Sequence, residues 1–137
     1  MRADESGTSR GRILLIDDDL VFGIWVEQVV HKRGGYELRH VTDPVAGLRC
    51  VENERWDLVI TDIEMPGVLG IELPERIHLL EPGLPIAVMT ARAAAGGAVT
   101  AERSATVEFL NKPVPSAELL SRVAVLIAKG QAIRAVR

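Results

Sequence analysis

DLVITDIEMPGVLG, residues 57–70, opens on an apolar run, Leu58-Val59-Ile60, that is too short for a helix and is bounded by polar residues. A buried parallel strand reads this way. The run closes at Asp62, and Met65-Pro66-Gly67 turns the chain away after it. In open α/β sheets, ligands and chemistry gather outside the carboxyl ends of the strands, so this acid stands where a reacting group belongs. An Asp at a strand end also serves as a turn former or a helix cap. The rest of the chain has to separate these readings.

Working outward, Ile13 to Ile16 is a second apolar run of strand length, closed by Asp17-Asp18-Asp19. Tyr36 to Val41, Pro85 to Thr90 and Val107 to Leu110 complete a set of five strands. Helical spacing lies between them. Phe22, Trp25, Val26, Val29 and Val30 mark a helix from Leu20 to about Arg33, which Gly34-Gly35 ends because glycine accepts the left-handed conformation of a helix stop. Thr42-Asp43-Pro44 is a cap followed by a first-turn proline, opening a helix through Ala46, Leu48, Cys50 and Val51. Gly70 to Leu80 is predicted helical with Pro74 in its first turn, and Pro82-Gly83 breaks it. Beyond the small-residue segment Ala91 to Gly97, helices are predicted over Ala98 to Arg103 and Ala117 to Ala128. Five strands alternating with five helices make a (βα)5, doubly wound, parallel five-stranded sheet of α/β class. The flavodoxin-like order 2-1-3-4-5 suits this length, and its switch point lies between the strands ending at Asp17-Asp18 and at Asp62.

A chain of 137 residues fits one core. The domain is expected over 12–129, after a disordered leader at 1–11 and before a C-terminal tail or the start of a linker at 130–137. The 16 basic and 19 acidic residues leave a net charge of −3, which argues against direct nucleic-acid binding. The lone Cys50 excludes an internal disulfide and a thiolate metal cluster. No run approaches the roughly 18 apolar residues of a membrane span, and the polar N-terminus lacks a signal core, so the protein is expected in the cytoplasm without membrane insertion.

In this fold Asp17, Asp18 and Asp62 meet at one edge. Three carboxylates in that space call for a cation, and oxygen-only ligands favour a hard ion such as Mg2+. The alternative is that residues 17–19 cap the next helix, where negative charge meets the helix dipole. Thr90 closes the fourth strand with a hydroxyl, and Lys112 follows the fifth with an ammonium. A carboxylate nucleophile, a cation, a hydroxyl donor and a lysine on one rim form a phosphoryl site, with Asp62 attacking phosphorus to give an acyl phosphate.

The combination IDD at 16–18, TDIEMPGVLG at 61–70, MTA at 89–91 and FLNKPV at 109–114 resembles the receiver domain of two-component response regulators, from about Arg12 to Ala128. The resemblance implies that Asp62 is the phosphoacceptor, charged by a histidine kinase or a histidine phosphotransfer protein. It implies Mg2+ bound by Asp18, Asp62 and the backbone carbonyl of Glu64, with Asp17 acting mainly through water. Thr90 and Lys112 would hold the phosphoryl oxygens, and Lys112-Pro113 would be cis. Thr90 and Phe109 would form the switch, altering the surface of the fourth helix, fifth strand and fifth helix. That surface would meet a downstream protein, an output domain outside this sequence, or a second copy in a homodimer.

Family positions that tune phosphoryl lifetime carry Glu64 and Arg92, of opposite charge, and a pair between them is expected at the site mouth. Pro115 stands at the cap position of the last helix, leaving Ser116 to cap. Val21 and Ile24 on the first helix either extend the core or form a surface for the kinase. A phosphohydrolase of haloacid-dehalogenase type would also use an Asp nucleophile, but it needs a second acid two residues on, where this chain has Glu64, and a cap domain for which there is no room. A docking receiver that is never phosphorylated is a further reading, and the retention of Asp17, Asp18, Asp62, Thr90 and Lys112 argues against it. Neither GxxxxGK[ST] nor GxGxxG occurs, which disfavours a nucleotide-binding module.

Overall fold

The computed structural model describes residues 9–65, 68–91 and 106–136. Five strands, β1 (Arg12–Ile16), β2 (Glu37–Val41), β3 (Leu58–Asp62), β4 (Ile86–Thr90) and β5 (Val107–Asn111), form one sheet in the order β2-β1-β3-β4-β5. Every neighbouring pair is parallel. β3 and β4 are buried along their whole length, which is why they read as unbroken apolar runs. β2, on the sheet edge, alternates instead.

Strand residues point alternately to two cores. Ile13, Leu15, Leu58 and Ile60 meet Val26, Val29 and Val30 of the first helix and Leu119 and Val123 of the last. On the opposite face Leu14, Ile16, Val59, Ile86 and Val88 meet Val51, Leu73 and Ile77. The covering helices are α1 (Leu20–Val26), α2 (Pro44–Asn53), α3 (Val68–Leu80) and α4 (Ser116–Ala135). Asp43 caps α2 by accepting from the Ala46 amide at 2.9 Å, with Pro44 at the first position, as the sequence predicts.

The structure corrects several expectations. The first helix changes winding at Glu27 and runs to Arg33 as a π-helix, which buries both Val29 and Val30. Gly34 caps it, and the chain turns away at Gly35, whose φ of 80° only glycine adopts readily. α3 starts at Val68, so Pro74 lies in its second turn, where buried Leu73 and Ile77 on either side keep the helix on the sheet despite the missing donor. The last helix runs to Ala135, through the segment expected as a tail. Gly130 there is buried so closely that a Cβ would stand 2.7 Å from Pro85 Cδ, and Arg134 donates to the Trp56 carbonyl at 2.9 Å. Ser116 is the first helical residue and does not cap; its hydroxyl accepts from Arg33 at 3.0 Å. At the other end, Arg10 already donates to the Gly35 carbonyl at 3.2 Å and stacks on Tyr36, so residues 9–11 belong to the folded unit and not to a leader. The helix predicted at 98–103 and the segment 92–97 lie outside the described residues.

Candidate functional site

Asp17 follows the last residue of β1 and is fully buried. Its amide donates to the Val41 carbonyl at 3.1 Å, and its Oδ1 accepts from the Asp19 amide at 2.9 Å. Its Oδ2 accepts from Lys112 Nζ at 3.1 Å. Asp19 turns away to cap α1, accepting from the Phe22 amide at 3.0 Å. The acidic triplet therefore divides: its third member caps the helix, and its first two face the site.

Asp62 ends β3 with 5% of its surface exposed. Its Oδ2 accepts from Lys112 Nζ at 2.9 Å and its Oδ1 from the Glu64 amide at 2.8 Å. One carboxylate oxygen from each of Asp17, Asp18 and Asp62 lies within 4.8 Å of the others, Asp18 being the exposed member. Octahedral Mg2+ holds oxygens at about 2.0–2.1 Å, which places any two at most about 4.2 Å apart, so shifts of fractions of an ångström bring these oxygens to a common ion. The all-oxygen donor set and the solvent-facing Asp18, which leaves room for retained waters, both fit Mg2+.

Among the described residues, charge in this cluster is unbalanced, with three carboxylates around one ammonium. Burial raises the Asp17 pKa; the Asp19 amide and Lys112 act in the opposite sense, and the nearby Asp62 adds to the rise. Burial also works against the Lys112 charge, but its hydrogen bonds to Asp62 and Asp17 outweigh that, so its pKa stands above that of free lysine. The Lys112 ammonium also lies 4.2 Å from the centre of the Phe22 ring, a cation–π contact that orients it.

Thr90, 2% exposed at the end of β4, donates from Oγ1 to Glu64 Oε2 at 2.7 Å. Its carbonyl accepts from the Lys112 amide at 3.0 Å, tying the turn after β5 to β4. Arg92 lies outside the described residues, and so does the expected pair with Glu64. Phe109 is partly buried against the core on the α2 and α3 face. Lys112-Pro113 is cis. Leu20, Val21 and Ile24 are 63%, 76% and 60% exposed, so these α1 side chains form surface and do not extend the core. Of the three, Val21 lines an open groove of about 560 Å³ together with Phe22, Trp25, Lys112, Pro113 and Val114. Sequence reasoning passed over Phe22 as a partner of Lys112 and over His40, whose Nε2 lies 2.7 Å from the Asp17 carbonyl. Neither contact has a local signature, since each joins distant segments.

The family model described as response regulator receiver domain matches residues 13–124. Among curated relatives, the transcriptional regulator NtrC of Bradyrhizobium sp. is 34% identical over 87% of this chain and 25% of its own length. PrrA of Mycobacterium tuberculosis is 26% identical over 91% of this chain and 53% of its own length, so the chain spans between a quarter and about half of these relatives. Among solved structures, a CheY-like receiver domain from Methanospirillum hungatei superposes with a TM-score of 0.79 at 29% identity, covering 88% of this chain and 96% of that one. The receiver domain of a sensor histidine kinase from Pseudomonas aeruginosa, crystallised with magnesium coordinated in its active-site cleft, has a TM-score of 0.75 at 27% identity, covering 86% of this chain and 98% of that one.

Proposed function

The chain belongs to the response regulator receiver family, and from that premise we propose that Asp62 accepts a phosphoryl group from a histidine kinase or histidine phosphotransfer protein. The observation that carries this reading is Lys112 Nζ held between Asp62 at 2.9 Å and Asp17 at 3.1 Å, inside an acidic cluster that has room for a cation. An Asp62 carboxylate oxygen attacks phosphorus. The new O–P bond forms as the P–N bond of the donor phosphohistidine breaks, and the imidazole leaves with the electron pair. Asp18, Asp62 and the Glu64 carbonyl would hold Mg2+, with Asp17 acting mainly through water, and the ion would supply positive charge against the transferring oxygens. Lys112 neutralises a further oxygen while staying anchored on Phe22.

In the product, the Thr90 hydroxyl leaves Glu64 for a phosphoryl oxygen, and Phe109 moves into the space behind it. Both arrangements must lie within a few kcal/mol for one phosphate to select between them. The altered surface, which includes β5 and α4, signals to a partner protein, to an output domain outside this sequence, or to a second copy. Hydrolysis of the acyl phosphate resets Asp62, with Glu64 and Arg92 setting its lifetime. The exposed Leu20, Val21 and Ile24 of α1 face the phosphodonor. The protein works in the cytoplasm as a switch, with self-phosphorylation and self-dephosphorylation as its only activities.

Intact-mass and peptide mass spectrometry after treatment with acetyl phosphate and Mg2+ tests this. One phosphoryl group on the Asp62 peptide is expected, and none in Asp62→Asn. Equal labelling of both proteins, or turnover of a generic phosphomonoester, would overturn the reading.

A further inference from the structure

Every polar group of Asp17 has a partner, and two of those partners come from β2. Its amide donates to Val41 and its carbonyl faces His40 Nε2 at 2.7 Å. A carbonyl only accepts, so His40 Nε2 carries the hydrogen. The imidazole reaches that carbonyl by crossing α1 at Gly23, where a Cβ would stand 2.2 Å from Cε1 and 2.3 Å from Nδ1 of the ring. Glycine inside a helix is unfavourable. Here any larger residue would expel the ring. Strand β2 thus grips the Asp17 peptide from its amide and its carbonyl, and α1 gives up a side chain to let it.

We infer that His40 is a positioning residue for the metal ion: seated on Gly23, it fixes the peptide that links Asp17 to Asp18, so that both carboxylates converge on Asp62. This rests on the metal-binding reading of the cluster. The carbonyl belongs to a fully buried residue, so removing its donor leaves it unpaired and favours a rotated peptide. A rotated peptide between Asp17 and Asp18 re-aims both carboxylates at once. Partners of this kind, one bond behind the ligands, commonly change metal affinity by about 10- to 100-fold.

Mn2+ titration followed by electron paramagnetic resonance gives the affinity without any phosphodonor, and circular dichroism on the same samples restricts it to folded protein. His40→Leu is expected to weaken Mn2+ about tenfold. His40→Gln is expected to recover most of the loss, because the glutamine amide nitrogen takes the place of Nε2. Gly23→Ala, which keeps the imidazole but removes its seat, is expected to weaken binding similarly, and adding it to His40→Leu should cost little more. Wild-type affinity in His40→Leu, or a His40→Gln no better than His40→Leu, would overturn the inference. If His40→Leu does not fold, wild-type affinity in Gly23→Ala does so. A wild-type chain that binds no Mn2+ would remove the metal site itself, an outcome distinct from a site that binds and ignores His40.

Discussion

Toward the amino ends of the strands, Arg12 and Arg39 hold Glu54 between them, Arg12 also reaches Glu37 at 3.5 Å, and both guanidinium groups lie over the Trp56 ring at 4.3 and 5.2 Å. At the carboxyl ends, Lys112 sits among Asp17, Asp18 and Asp62. The first group sets two cations against two carboxylates on partly exposed side chains, and water shares the work. Among the described residues, the second sets one cation against three carboxylates, two of them buried. Solvated, balanced pairs of the first kind contribute about 0–1 kcal/mol and are screened by salt. Desolvated, unbalanced carboxylates oppose folding until something positive joins them. Charge that weakens the bare fold therefore stands where the proposed function adds a cation and a phosphoryl group.

The largest effect that separates the two ends is expected from Lys112→Met. It removes the ammonium that bridges Asp62 and Asp17, and should slow labelling by acetyl phosphate by about 10²- to 10³-fold. Initial rates by mass spectrometry measure it, and a change of only a few-fold would mean that the lysine is structural. Next comes Asp17→Asn in metal-free protein. Because burial raises the Asp17 pKa in the folded chain, the stability linked to its protonated form is present below the ordinary carboxylate range and lost as pH rises through the raised value. Asparagine cannot ionise, so the variant should be more stable than wild type by about 0.5–2 kcal/mol at neutral pH. Urea unfolding should show that advantage shrinking as pH falls below the carboxylate range. The smallest effect belongs to the opposite end: Glu54→Ala should leave the urea midpoint close to that of wild type and labelling untouched. A large drop in the midpoint would show that the amino-end network is more than a solvated pair.

Much of this is legible in the sequence alone. Leu58-Val59-Ile60 and Ile13 to Ile16 are buried on both faces, so their sequence carries the strand signal alone, and the acids that end them mark the switch point. Lys112 was legible only jointly: alone it reads as a solvated turn lysine, but it follows one of four strands whose ends the fold brings to a single rim with Asp17, Asp62 and Thr90. Contacts between distant segments were not. The Thr90 hydroxyl meets Glu64, 26 residues away, and Ser116 meets Arg33, 83 residues away. The π winding over Glu27–Arg33 escaped because seven residues are too few to separate it from the α period. Gly130 fell in the segment expected as a tail, yet its missing side chain is what lets α4 lie against Pro85.

The contrast between the two ends is tested most directly by calorimetric melting against Mg2+ concentration. Wild-type protein should gain about 1.4 kcal/mol of stability at ten times the dissociation constant, the Glu54→Ala protein should gain the same, and Asp18→Asn and Asp62→Asn should gain little or nothing. A wild-type melting temperature indifferent to Mg2+, or an equal rise in the Asp62→Asn protein, would contradict the account.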